Sequence, residues 1–147
     1  MTDFPVRYTC LADRAVLSLL RQYVSRAAEQ CGFSGEDAIK IEMAVDEACS
    51  NVAEHAYLDG DDRRMITLQL DSSPEALTIH VIDHGRGGCP ADFHPLGSIE
   101  EYCRLDRGAF GGLGLLIMRR FMDEMEVDSA PNAGTRVMLR KYRSEAA

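Results

Sequence analysis

Apolar and polar positions along the chain repeat with two periods. Phe4, Val6, Tyr8 and Cys10 fall on every second residue across 3–11, the period of a strand. Ala15, Val16, Leu19, Leu20, Tyr23, Val24 and Ala27 then follow helical spacing, with Asp13 as N-cap and Gly32 as a C-terminal stop. A second helix is predicted from Ser34, whose spacing to Asp37 resembles a capping box, to about Tyr57. Its buried stripe is Ile41, Ala44, Val45, Ala48 and Val52. Strands are predicted over 65–71, with Ile66, Leu68 and Leu70 on one face, and over 76–83, with Leu77, Ile79 and Val81 on one face. The turn at 72–75 makes these two an antiparallel hairpin.

Residues from His84 to about Gly111 hold no sustained period and are rich in glycine and proline. A loop of that length in a compact domain is usually functional or disordered. A short helix around 98–104 is expected inside it. The chain turns helical again from Gly112 to Met122, and short strands follow over 125–129 and 135–142, joined by the turn Pro131-Asn132-Ala133-Gly134. The resulting order, β-α-α-β-β-loop-α-β-β, predicts an α+β fold: a two-layer α/β sandwich with a mixed, mainly antiparallel sheet and the helices on one face. Neither an internal repeat nor a linker interrupts it, so residues 1–147 are expected to form a single domain.

Composition narrows the function. Hydrophobic residues are 46% of the chain, enough for a core without disulfides. A net charge of −8 argues against sequence-independent nucleic-acid binding, which needs a basic surface. No apolar run has membrane-spanning length, and the first residues lack the features of a secretion signal. The five cysteines show no zinc-type spacing, so reduced thiols in a cytoplasmic protein are expected.

Four polar or glycine-rich pieces interrupt this pattern. Glu47 and Asn51 lie one helical turn apart beside the buried stripe. Taken alone, the pair reads as a solvated margin of a core helix. A carboxylate and a carboxamide there can also share a cation or an attacking hydroxyl. Asp83-His84-Gly85-Arg86-Gly87 follows a strand, where a partly buried carboxylate needs a donor such as the exocyclic amine of a purine. Gly108-Ala109-Phe110-Gly111-Gly112-Leu113-Gly114-Leu115 runs into a helix, whose free N–H groups and positive dipole end suit phosphate oxygens, with a packing role for Gly112 and Gly114 as the alternative. Gly134-Thr135 enters the last strand, and Thr135 would lie beside Asp83 if that strand neighbours the one ending there.

In order and spacing these pieces resemble the GHKL ATPase superfamily, over about residues 5–142. Glu47-Ala48-x-x-Asn51, running on to His55-Ala56-Tyr57, looks like its N box. Asp83-x-Gly85-x-Gly87 looks like the G1 box, Gly112-Leu113-Gly114-Leu115 like the G2 box, and Gly134-Thr135 like the last motif. Within the superfamily the chain is most similar to the small anti-sigma-factor serine/threonine protein kinases. Neither a phosphoacceptor-histidine helix pair nor a transducer domain is expected in it.

The resemblance implies ATP and Mg2+ as cofactors, with Asn51 as the metal ligand and Glu47 as general base towards a serine or threonine hydroxyl. It implies that Asp83 reads adenine with help from Thr135, and that 84–111 form an ATP lid. The nucleotide would be held by Asn51, Asp83, Gly85, Gly87, Gly112, Leu113, Gly114 and Thr135. A lid arginine, Arg107 or Arg104, would meet the γ-phosphate. The implied partners are a sigma factor and an antagonist bearing the phosphorylated residue, with homodimerisation left open. The rival readings are a non-catalytic ATP-gated binding module and an isolated histidine-kinase-type ATPase domain.

Overall fold

The structure is a computed structural model, and it describes residues 3–57, 61, 64–86 and 112–144. Strand β1 (Val6–Leu11) leads into helix α1 (Arg14–Gln30) and helix α2 (Gly35–Asn51). The expected second helix does reach the neighbourhood of Tyr57, but not as one α-helix: α2 stops at Asn51, and Val52–Ala56 continue as a π-helical turn. Strands β2 (Met65–Ser72) and β3 (Ala76–Asp83) follow, then helix α3 (Gly112–Phe121) and strands β4 (Glu124–Ala130) and β5 (Gly134–Tyr142). Gly87, Arg104, Arg107 and the helix expected around 98–104 lie outside the described residues.

Local chemistry accounts for the helix ends. Asp13 accepts a hydrogen bond from the Ala15 N–H at 3.0 Å, and Ser34 accepts one from the Asp37 N–H at 3.1 Å. Between them, α1 closes with a Schellman motif. Gly32, at φ +90°, donates to Glu29 O, and Phe33 donates to Ala28 O. The chain thereby reverses in a few residues, and α1 packs against α2.

The sheet has the order β1-β2-β3-β5-β4. All four pairings are antiparallel, so the parallel pairing that a mixed sheet would need does not occur among the described strands. The register builds rows across it. Leu70, Ile79, Leu139 and Met125 form one row, and Leu68, Val81, Val137 and Val127 the next. Ile66, Leu68, Leu70, Ile79 and Leu139 are fully buried. At about 1.5–3 kcal/mol for each large apolar side chain, this face is the main source of stability. α2 lies over β3 and β5, and α3 packs against α2.

The opposite face carries Gln69, His80, Arg136 and Arg140 and is largely polar. Thr67, expected on that face, is there but buried, its hydroxyl bonded to that of Thr9 at 2.9 Å.

Candidate functional site

The third row of the sheet breaks the apolar pattern. It runs Ile66, Asp83, Thr135, Ser129, on the same face as the hydrophobic rows. Asp83 is the next inward residue of β3 after Leu77, Ile79 and Val81, and it is only 4% exposed. Its environment is more buried than the partly buried strand end expected from sequence. β3 and β5 are neighbours, and Asp83 stands directly opposite Thr135. That is the adjacency on which the sequence argument for Thr135 depended.

A buried carboxylate needs donors. Oδ1 of Asp83 accepts from the Gly85 N–H at 2.9 Å, and the nearby Thr135 N–H favours its charged form. Burial pushes the Asp83 carboxyl above its ordinary range, while these two N–H groups and the charge of His84 pull it back in part. The Thr135 hydroxyl pairs with Ser129 Oγ at 2.8 Å. Asp83 and Thr135 line one pocket whose other walls include Asn51, Ala56, Leu115 and Met118. An acceptor-only group at the floor of an apolar slot fits a flat ring carrying an amine.

The pocket is shaped by backbone at close quarters. A Cβ on Gly85 would lie 2.0 Å from Ala56 O, and one on Gly134 would lie 2.1 Å from Asp83 O. Gly134 also has φ +79°. These glycines let the loop after β3 and the entry to β5 close on the π-helical turn and on β3. Tyr57 secures the same corner: its hydroxyl donates to Met65 O and accepts the His84 N–H at 3.0 Å.

The other end of the pocket is made of side chains. The Asn51 carboxamide forms no hydrogen bond among the described residues, and Asn51 lines the pocket. Glu47, one turn earlier, stands beside the first turn of α3, where a Cβ on Gly114 would fall 2.7 Å from Glu47 Oε2. Burial raises the Glu47 pKa above the ordinary carboxylate range, and the charges of Asp46 and Glu54 raise it further. α3 begins at Gly112, so the first-turn N–H groups of Gly112, Leu113 and Gly114 lie at the end nearest Glu47. Asn51, Asp83 and Thr135, drawn from three separated stretches, therefore line one pocket, with Gly85 closing on Ala56 of its wall and Gly114 standing against Glu47.

Sequence reasoning assigned no role to three contributors. Ser129 fixes the Thr135 hydroxyl and was readable by register arithmetic, since the turn at 131–133 puts it opposite Thr135. Tyr57 and Arg86 act through bonds to backbone, which leave no periodic signal.

A family profile, the histidine kinase-like ATPase domain, matches residues 10–141. The chain belongs to that family. It is similar to the serine-protein kinase RsbW of Bacillus velezensis, with 30% identity over 135 residues covering 89% of this chain and 81% of the relative. It is also similar to the anti-sigma F factor of Thermoanaerobacter sp. (strain X514), with 35% identity over 127 residues covering 85% and 84%.

Two solved structures share the fold. One holds the RsbU and RsbW domains of Rv1364c from Mycobacterium tuberculosis, with a TM-score of 0.67 at 18% identity, covering 97% of this chain and 34% of that one. The other is the SiaB-SiaC complex from Pseudomonas aeruginosa, with a TM-score of 0.61 at 16% identity, covering 94% and 89%.

Proposed function

We propose that this chain is an ATP-dependent serine/threonine protein kinase, acting as one domain in the cytoplasm. It phosphorylates an antagonist protein and thereby controls a sigma factor. The observation that carries this reading is Glu47: a half-buried carboxylate with no hydrogen-bond partner among the described residues, one turn from Asn51. Neighbours named serine-protein kinase and anti-sigma factor support the choice of reaction.

In this reading Asp83 accepts from the adenine amine, and Thr135, held by Ser129, flanks it. Among the described residues no three His, Cys, Asp or Glu side chains converge on a point. The donor set therefore suits a cation that arrives with phosphate oxygens and takes one protein oxygen, that of Asn51. Magnesium fits this description and, when bound, would offset the negative charge of the phosphates. Glu47 takes the proton of the partner's serine or threonine hydroxyl as its oxygen bonds the γ-phosphorus. The bond from that phosphorus to the β–γ bridging oxygen breaks, and ADP leaves. A carboxylate with a raised pKa holds that proton better than an ordinary one. The free amide groups at the start of α3 would take the phosphate oxygens.

The experiment is phosphate transfer from γ-labelled ATP to a cognate antagonist protein. Glu47→Gln is expected to lower the rate by about 10²–10⁴-fold, with ATP affinity kept. Equal transfer by the variant would remove Glu47 as base. Nucleotide binding with no transfer in the wild type would favour an ATP-gated binding module instead.

A further inference from the structure

Arg86 is the last residue described after β3, and three segments meet on it. Its backbone N–H donates to Ala56 O at 2.8 Å, and its carbonyl accepts the Asn132 N–H at 2.6 Å. Its guanidinium Nη2 donates to His55 O at 2.9 Å. His55 and Ala56 are the last two residues of the π-helical turn that begins directly after Asn51. Carbonyls at a helix end lack partners within the helix. Here Arg86 supplies one from its backbone and one from its side chain. A cation at that end is also favoured by the helix dipole.

A π turn is uncommon and frequent at functional sites. This one is held at its far side, because Tyr57 is bonded to Met65 O and to the His84 N–H. If the turn relaxed towards α geometry, the far side could not follow. The change would be taken up on the near side, where Asn51 stands.

We propose that the Arg86 guanidinium is a positioning residue for Asn51. By bonding the His55 carbonyl it keeps the π-helical turn wound and holds the carboxamide in register with Asp83 across the pocket. The inference rests on the nucleotide site proposed above, since it assigns Asn51 to the metal and Asp83 to the base. It also predicts a division of effects. The two backbone bonds of Arg86 survive substitution, so the Asp83 end stays built. Only the bond to His55 O is lost, so only the Asn51 end is loosened.

Calorimetry of ATP binding to the full chain, with and without Mg2+, tests this in wild type, Arg86→Ala and Arg86→Lys, alongside thermal melting without nucleotide. In Arg86→Ala the metal-free affinity is expected to stay within about twofold. The tightening produced by Mg2+ should shrink by about tenfold, the scale of one charge-assisted hydrogen bond. Arg86→Lys, which keeps a cation able to reach one carbonyl, should recover part of it, and melting should move little. An unchanged Mg2+ effect in Arg86→Ala would overturn the proposal. So would an equal loss with and without Mg2+ accompanied by a lowered melting temperature, the mark of a merely structural arginine. A wild type that bound no ATP would overturn the nucleotide site itself, and that failure shows before any variant is compared.

Discussion

The two ends of the pocket are built by different means. At the Asp83 end the close contacts are backbone to backbone: Gly85 against Ala56 O and Gly134 against Asp83 O. At the Glu47 end the close contact is between Gly114 and the tip of a flexible side chain. Backbone atoms cannot step aside without moving a strand or a helix end, whereas a carboxylate can swing on three torsions. The Asp83 end is therefore rigid because the fold itself is its wall. The Glu47 end is tunable, because its groups are placed by neighbours rather than by the main chain.

Substitution should separate the two. The largest effect is expected at Gly85. In Gly85→Ala the new Cβ meets Ala56 O at 2.0 Å, so either the loop or the π-helical turn must move. Urea unfolding should show a loss of about 3 kcal/mol or more, with ATP binding abolished. A variant as stable as the wild type would break the comparison at its rigid end. Next comes Asp83→Asn, which keeps the shape and replaces an acceptor with a group that also donates. Calorimetry should show ATP binding weakened by about 10–100-fold, with melting nearly unchanged.

Gly114→Ala should do the reverse of Gly85→Ala. The fold tolerates it, and helix propensity adds about 0.5–1 kcal/mol. The Glu47 carboxylate, however, must leave its place. Transfer should fall by about 10–100-fold while ATP affinity holds, a rate effect without a stability effect. The smallest effect concerns pH. The Glu47 pKa lies above its ordinary 4.5 through burial and the nearby acids. Its contribution to stability is therefore full below that ordinary value and is lost as pH rises through the raised one. Glu47→Gln should melt slightly higher than wild type at neutral pH, and the gap should close in acid. In the wild type, transfer should fall as acid protonates Glu47, starting at a pH above the ordinary glutamate range.

Elements that owe their form to side-chain periodicity were readable from the chain. The stripes of α1 and α2, the alternation of β2 and β3, and the caps at Asp13 and Ser34 all act over a few residues. The placement of Asp83 opposite Thr135 was readable only as a condition, because strand order depends on contacts between remote segments. The all-antiparallel sheet was hidden for the same reason. The π-helical turn left no trace in the pattern, since Val52 and Ala56 are spaced as an α-helix would space them. What holds it, Tyr57 and Arg86, are single polar residues that bond main-chain atoms some 30 positions apart. Residue types marked the chemistry of the site, whereas its rigidity comes from main-chain proximity, which composition does not encode.

The hydroxyls of Thr135 and Ser129 form a pair in which either oxygen can give the proton and the other receive it. Such a pair can reverse polarity by two bond rotations, at the loss of the 3.4 Å bond from Ser129 Oγ to Gly134 O. A ligand atom beside Thr135 would thus meet a donor or an acceptor, whichever it needed. On the proposed reading, fidelity between purines then falls on Asp83, whose carboxylate when ionised can only accept. An amine at the ring position it faces is welcomed, and a carbonyl there is repelled by two sets of lone pairs. On the proposed reading, discrimination of adenine from guanine has a single point of failure, one strand residue deep in an otherwise oily row.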